Sequence, residues 1–158
     1  MKTTEDLAIV IDTSGSMSES SKLYSARGLV IKIGQHTSLG YSTIQPVLYS
    51  WSNELKTVPW SPEEDYPEVL MVGEGSTNAS DLVSHFQNSS ENILVITDGG
   101  LTNQDLSAFT EWEKTRERDS IKILQLSGDS EKSKFWSATH HADDLIAILH
   151  SWYPDQTV

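Results

Sequence analysis

Leu7-Ala8-Ile9-Val10-Ile11 runs directly into Asp12-Thr13-Ser14-Gly15-Ser16. Five consecutive apolar residues, three of them β-branched, suit a strand buried on both faces, as in the middle of a parallel sheet. The run is far shorter than the ~18 residues of a membrane span, and too short for the apolar core of a secretory signal. It ends on a carboxylate followed by small hydroxylated residues, so the strand empties into a tight polar loop.

Outward from this strand the chain alternates. Residues 19–36 carry Leu23, Ala26, Val30 and Ile33 at helical spacing. Residues 44–51 alternate, with Val47, Tyr49 and Trp51 on one face, and Ser52-Asn53 turns the chain into a return strand from Glu54 to Val58. Pro46 and Pro59 place these two strands toward a sheet edge. An acidic, proline-rich loop spans 59–68, and Val69 to Val72 suits either strand or helix. The loop 73–78 opens a helix with Leu82, Val83 and Phe86 inward. Ile93 to Thr97 is a second buried strand, and 104–118 a helix with Leu106, Phe109 and Trp112 inward and Asn103 as its cap. Ile121 to Leu126 is a strand, a short helix follows near 132–137, and a short last strand covers about 137–141. The final helix runs from Asp143 to Trp152, with Leu145, Ile146, Ile148 and Leu149 apolar. The expectation is one domain over 1–158, its core about 6–152 and a tail from 153. Its architecture is a three-layer α/β/α, doubly wound, mostly parallel sheet with one antiparallel edge strand.

The net charge is −12, and residues 51–100 hold one Lys against nine acids. Such a chain repels phosphate backbones and anionic lipid, which argues against nucleic-acid and membrane partners. Cysteine is absent, removing disulfides, thiolate metal sites and a thiol nucleophile. With the charged N-terminus, this favours a cytoplasmic protein.

In doubly wound sheets, sites form beyond the carboxyl ends of the strands at the switch in strand order. Three loops answer that description: Asp12-Thr13-Ser14-Gly15-Ser16, Gly75-Ser76-Thr77 and Thr97-Asp98-Gly99. Together they supply two carboxylates and several hydroxyls, with no nitrogen or sulfur donor. Hard divalent cations take such a set, whereas zinc and copper favour softer ones. Two negative charges leave a dication short of neutralisation and open to one more anionic oxygen. Gly15 lets Ser14 and Ser16 turn to one side, and Gly75 and Gly99 allow close backbone approach.

Asp12-x-Ser14-x-Ser16, then Thr77, then Asp98-Gly99, resembles the metal-ion-dependent adhesion site (MIDAS) of von Willebrand factor type A (vWA) domains, in order and in strand placement. The likeness covers about residues 6–152 and is strongest to bacterial and intracellular members. The resemblance implies that Ser14, Ser16 and Thr77 coordinate Mg²⁺, with Mn²⁺ or Ca²⁺ as alternatives. Asp12 and Asp98 then act directly or through water, and a partner's Asp or Glu completes the shell. It implies a non-enzymatic adaptor, beside a MoxR-type AAA+ ATPase or in a stress or defence assembly.

Two other readings compete. A Mg²⁺-dependent phosphatase of the haloacid dehalogenase type would use Asp12 as nucleophile, but its general acid, an Asp two residues on, is replaced by Ser14. No Gly-Lys-Ser/Thr loop and no Gly-x-Ser-x-Gly elbow occurs. Alternatively, the metal only ties three loops together in a structural subunit. His140-His141 suits a cap or surface position, and His36, His85 and His150 suit structural ones. Trp60, in the acidic loop, is either an interface anchor or a loop-to-body contact.

Overall fold

The protein was described from a computed structural model covering residues 5–19, 21–39, 44–99, 102–116, 119–126 and 139–153. Six strands, β1 (Glu5–Asp12), β2 (Ile44–Trp51), β3 (Leu55–Val58), β4 (Asn92–Thr97), β5 (Ile121–Gln125) and β6 (Thr139–His141), form one sheet. Their order is β3-β2-β1-β4-β5-β6. Every neighbouring pair is parallel except β2 with β3. Among the described residues, four helices cover the faces: α1 (Lys22–Ser38), α2 (Ala79–Phe86), α3 (Asn103–Lys114) and α4 (Leu145–Trp152).

The unbroken apolar run of β1 has a simple cause. Leu7, Ile9 and Ile11 pack on one face with Leu23, Ala26, Val30 and Ile33 of α1 and Leu145, Ile148 and Leu149 of α4. Ala8 and Val10 face the opposite way, toward Leu82 and Phe86 of α2 and Phe109 and Trp112 of α3. A strand with a core on each side cannot alternate polar and apolar residues. Each fully buried Leu or Ile contributes ~1.5–3 kcal/mol, so the central strands hold both layers to the sheet.

The strand order places the switch between β1 and β4. From β1 the chain builds one way through β2 to β3, then returns to β4 on the other flank. Asp12, at the end of β1, and Thr97, at the end of β4, lie beside this crevice.

Several local details differ from the sequence reading. α1 starts at Lys22, because Gly15–Ser18 forms a separate 3-10 turn and Ser21 takes a left-handed φ of 60°. The strands marked by Pro46 and Pro59 do lie toward a sheet edge, with β3 at the edge and β2 next to it. β3 pairs only with Leu48 to Trp51, so β2 lacks that neighbour at Pro46. Glu68–Met71 is a 3-10 turn. Thr102, not Asn103, caps α3, in a box closed by Asp105. That helix stops at Lys114, and the Arg116 side chain donates to the carbonyls of Phe86, Ser89 and Glu91. Ala142–Asp144 is a 3-10 turn, and α4 begins after it. The short helix expected near 132–137 lies outside the described residues. The Trp60 ring packs over α1 at Gly34 and its indole N–H donates to the Glu64 carbonyl, so loop-to-body packing is what this residue does. Among the described residues, no helix is long and apolar enough to cross a membrane.

Candidate metal centre

Backbone hydrogen bonds bring the first two loops together. The Glu74 N–H donates to the Thr13 carbonyl at 2.8 Å, and the Gly15 N–H to the Gly75 carbonyl at 2.9 Å. The Thr13 N–H, donating to the Trp51 carbonyl at 2.9 Å, continues the β1–β2 ladder into the loop. Gly75 and Gly99 have φ of 79° and 85°, in the left-handed region that favours glycine. Gly15 is different: a Cβ there would meet only the Gly75 carbonyl, at an ordinary 3.6 Å. The glycine that closeness demands is Gly73, where a Cβ would lie 2.7 Å from the Ser14 carbonyl oxygen.

Asp12 is 1% exposed, and both of its carboxylate oxygens are engaged. Oδ1 accepts from the Ser14 N–H at 2.8 Å, and Oδ2 from the Thr97 hydroxyl at 2.6 Å. Burial pushes its carboxyl above the usual range and the charge of Asp98 adds to this, while the Ser14 and Thr97 hydrogen bonds pull it down. The carboxylate is thus short of positive charge. The Ser14 and Ser16 hydroxyls lie 3.4 Å apart. Asp98 Oδ2 receives the Lys22 ammonium at 2.9 Å.

Thr77 comes from the loop that opens α2. Asn78 caps this helix, its side chain accepting from the Asp81 N–H. The Trp51 indole N–H donates to the Asn78 carbonyl at 2.9 Å, pinning the loop to the end of β2. The Thr77 hydroxyl donates to Asp105 Oδ2 at 2.8 Å, and Asp105 Oδ1 accepts from the Ala79 N–H at 3.2 Å. The hydroxyl proton is committed to Asp105, which leaves the oxygen lone pairs for a cation.

Ser14, Ser16 and Thr77 line one cleft of about 380 Å³, with Asn78, Gln104 and Asp105 also in its wall. Three oxygen donors from two loops therefore open on a common space, whereas Asp12 and Asp98, buried at the ends of β1 and β4, do not line it. A hard divalent cation fits this chemistry. Among the described residues, no group of three or more His, Cys, Asp or Glu side chains is arranged to hold a metal, so the hydroxyls are essential to such a site. His141 is exposed, and its N–H donates to Asp144.

Two supports escaped the sequence reading. Asp105 lies in a helix it also caps, and Lys22 sits on the opposite side of the switch from Asp98. The Thr-x-x-Asp capping pattern at 102–105 was the available signal for the first. For Lys22, local spacing carries none.

No protein-family model and no curated protein matches the sequence. Solved structures do. A von Willebrand factor type A protein from Catenulispora acidiphila superposes with a TM-score of 0.59 at 15% identity, over 95% of this chain and 42% of its own. BatB from Bacteroides thetaiotaomicron gives 0.54 at 17% identity, over 77% and 66%. Proximal thread matrix protein 1 of the mussel byssus, with a zinc-occupied MIDAS motif, gives 0.54 at 14% identity, over 93% and 44%. The chain spans less than two thirds of the length of each. It has the fold of a von Willebrand factor type A domain.

Proposed function

We propose that this chain is a metal-dependent protein–protein interaction module. Ser14, Ser16 and Thr77 supply hydroxyl oxygens to a divalent cation, Mg²⁺ in the first instance, and Asp12 and Asp98 supply the negative charge. The cation, left with an open position, takes an Asp or Glu of a partner protein. The observation that carries this reading is the shared cleft of Ser14, Ser16 and Thr77, held by hydrogen bonds between backbones some sixty residues apart.

The zinc in the MIDAS motif of the mussel protein supports a divalent cation and widens the choice of metal. Softness ranks zinc low for an all-oxygen set, but does not exclude it. The net charge of −12 disfavours a generally acidic partner. The reading is therefore of one carboxylate within a neutral or basic surface, with affinity falling as salt rises. An adaptor beside a MoxR-type ATPase or in a defence assembly is the corresponding role, by analogy of fold. Against the phosphatase alternative stands the burial of Asp12, whose two oxygens are both hydrogen-bonded.

The test is a metal titration followed by thermal melting, then partner capture with Mg²⁺ or EDTA. Mg²⁺ or Mn²⁺ should raise Tm and EDTA reverse it, and Asp12→Ala and Ser14→Ala should abolish the difference. An unchanged melting curve would sink the metal assignment. Partners captured equally in Mg²⁺, in EDTA and by Asp12→Ala would sink the bridging role and favour a structural metal.

A further inference from the structure

Lys22 is placed against its electrostatic preference. It is the first residue of α1, where the helix dipole favours anions and disfavours an ammonium. Its Nζ nevertheless reaches across 76 positions of sequence to Asp98 Oδ2 at 2.9 Å, and donates to the Ser16 carbonyl at 3.3 Å. The side chains are 19% and 5% exposed, so the pair is largely removed from water. The ammonium thus rests on two of the residues assigned to the cation, one through its carboxylate and one through its backbone.

We infer that Lys22 is a built-in counter-cation that competes with the divalent metal for Asp98. This rests on the metal reading above and adds its regulation. With no metal bound, the ammonium neutralises a buried carboxylate and holds the third loop against the first. With metal bound, Asp98 is shared between a dication and the ammonium, or the lysine side chain gives up its contact. Either course weakens the metal, because two cations drawn to one partly buried carboxylate repel each other. The site is thereby set for a metal that comes and goes, not for one locked in by folding.

The same geometry separates Lys22 from a merely structural lysine. A structural ion pair, when broken, lowers both stability and metal affinity. A competing cation, when removed, lowers the stability of the metal-free protein and raises metal affinity.

The experiment uses the whole chain and metal alone as the probe. Mn²⁺ and Mg²⁺ are titrated calorimetrically into wild type, Lys22→Met, Lys22→Gln and Lys22→Arg, and each is melted in EDTA and in saturating metal. Lys22→Met and Lys22→Gln should bind at least about tenfold more tightly and melt lower in EDTA, while Lys22→Arg, keeping the charge, should bind about as wild type does. Equal or weaker binding by both neutral variants, with wild type binding normally, overturns the lysine inference and leaves the metal site standing. No binding by any folded variant, wild type included, overturns both.

Discussion

Gly73 and Gly28 offer the same substitution with opposite expected outcomes. A Cβ on Gly73 would lie 2.7 Å from the Ser14 carbonyl oxygen and 3.1 Å from the Ser18 nitrogen. The first distance is about 0.7 Å short of the 3.4 Å at which ordinary contact begins, and both neighbours are backbone atoms that cannot rotate away. Gly73→Ala must therefore push the second loop off the first, at an overpacking cost of about 1–3 kcal/mol. In a domain this size that lowers Tm by about 2–12 °C. Gly28 lies on an exposed position of α1, and a Cβ there would meet nothing within 4 Å, so alanine gains helix propensity without a clash. Gly28→Ala should stabilise by about 0.5–1 kcal/mol. Chemical denaturation of both variants, with m-values compared, gives the stability change. Metal titration should show Gly73→Ala weakened and Gly28→Ala unchanged. Wild-type stability and metal binding in Gly73→Ala would refute the claim that contact between these loops is what shapes the centre.

Asp105→Asn should cost about 1–3 kcal/mol, since a carboxylate accepting from Thr77, Ala79 and Thr102 is replaced by a group that donates on one side. Metal affinity should fall about 10–100-fold as the Thr77 hydroxyl loses its orientation, measured by the same calorimetry. Burial pushes the Tyr66 phenol well above 10, and its hydroxyl is buried with no hydrogen-bond partner among the described residues. The folded state thus keeps a proton that the unfolded state releases, so stability should fall as pH rises above about 10. Tyr66→Phe should be neutral or stabilising by up to about 1 kcal/mol at pH 7, and should blunt the alkaline loss, both read by urea unfolding. Arg116 donates to three carbonyls and to Ser120 while stacking on Trp112, so Arg116→Ala should destabilise by about 2–3 kcal/mol, with Arg116→Lys recovering less than half.

The fold was legible where one local pattern decided the outcome. Leu7 to Ile11 could be buried only between two layers, and Leu82 with Phe86, and Phe109 with Trp112, had one face each to offer. Asp12, Ser14, Ser16 and Asp98 stood out as candidates because short polar runs sat where β1 and β4 end, whereas Thr77 lies in a loop that follows a 3-10 turn and opens α2. What stayed hidden depended on atoms meeting across the chain. Gly15 looks like the space-giving glycine from its place between two serines, yet the space is needed at Gly73, whose neighbour is set by how the second loop docks. Asn103 and Thr102 are both good caps, and here a local spacing, Thr-x-x-Asp, and not a contact across the chain, separates them. The Lys22–Asp98 pair follows from the strand order and the length of a lysine side chain, neither of which a motif records.

The distances in sequence between the parts of the centre also bear on when it comes into being. Thr97 bonds Asp12 across 85 positions, Lys22 reaches Asp98 across 76, and Thr77 meets Asp105 across 28. Each closure must be made at an entropic cost before any contact rewards it. A chain with β1 and β2 paired but β4 still adrift holds Ser14 and Ser16 without Asp98, and so has only part of the proposed ligand set. On the metal reading proposed above, cation capture reports the joining of β4 to β1. In refolding followed by stopped flow, uptake of Mn²⁺ should coincide with the slowest structural phase and trail the formation of helix.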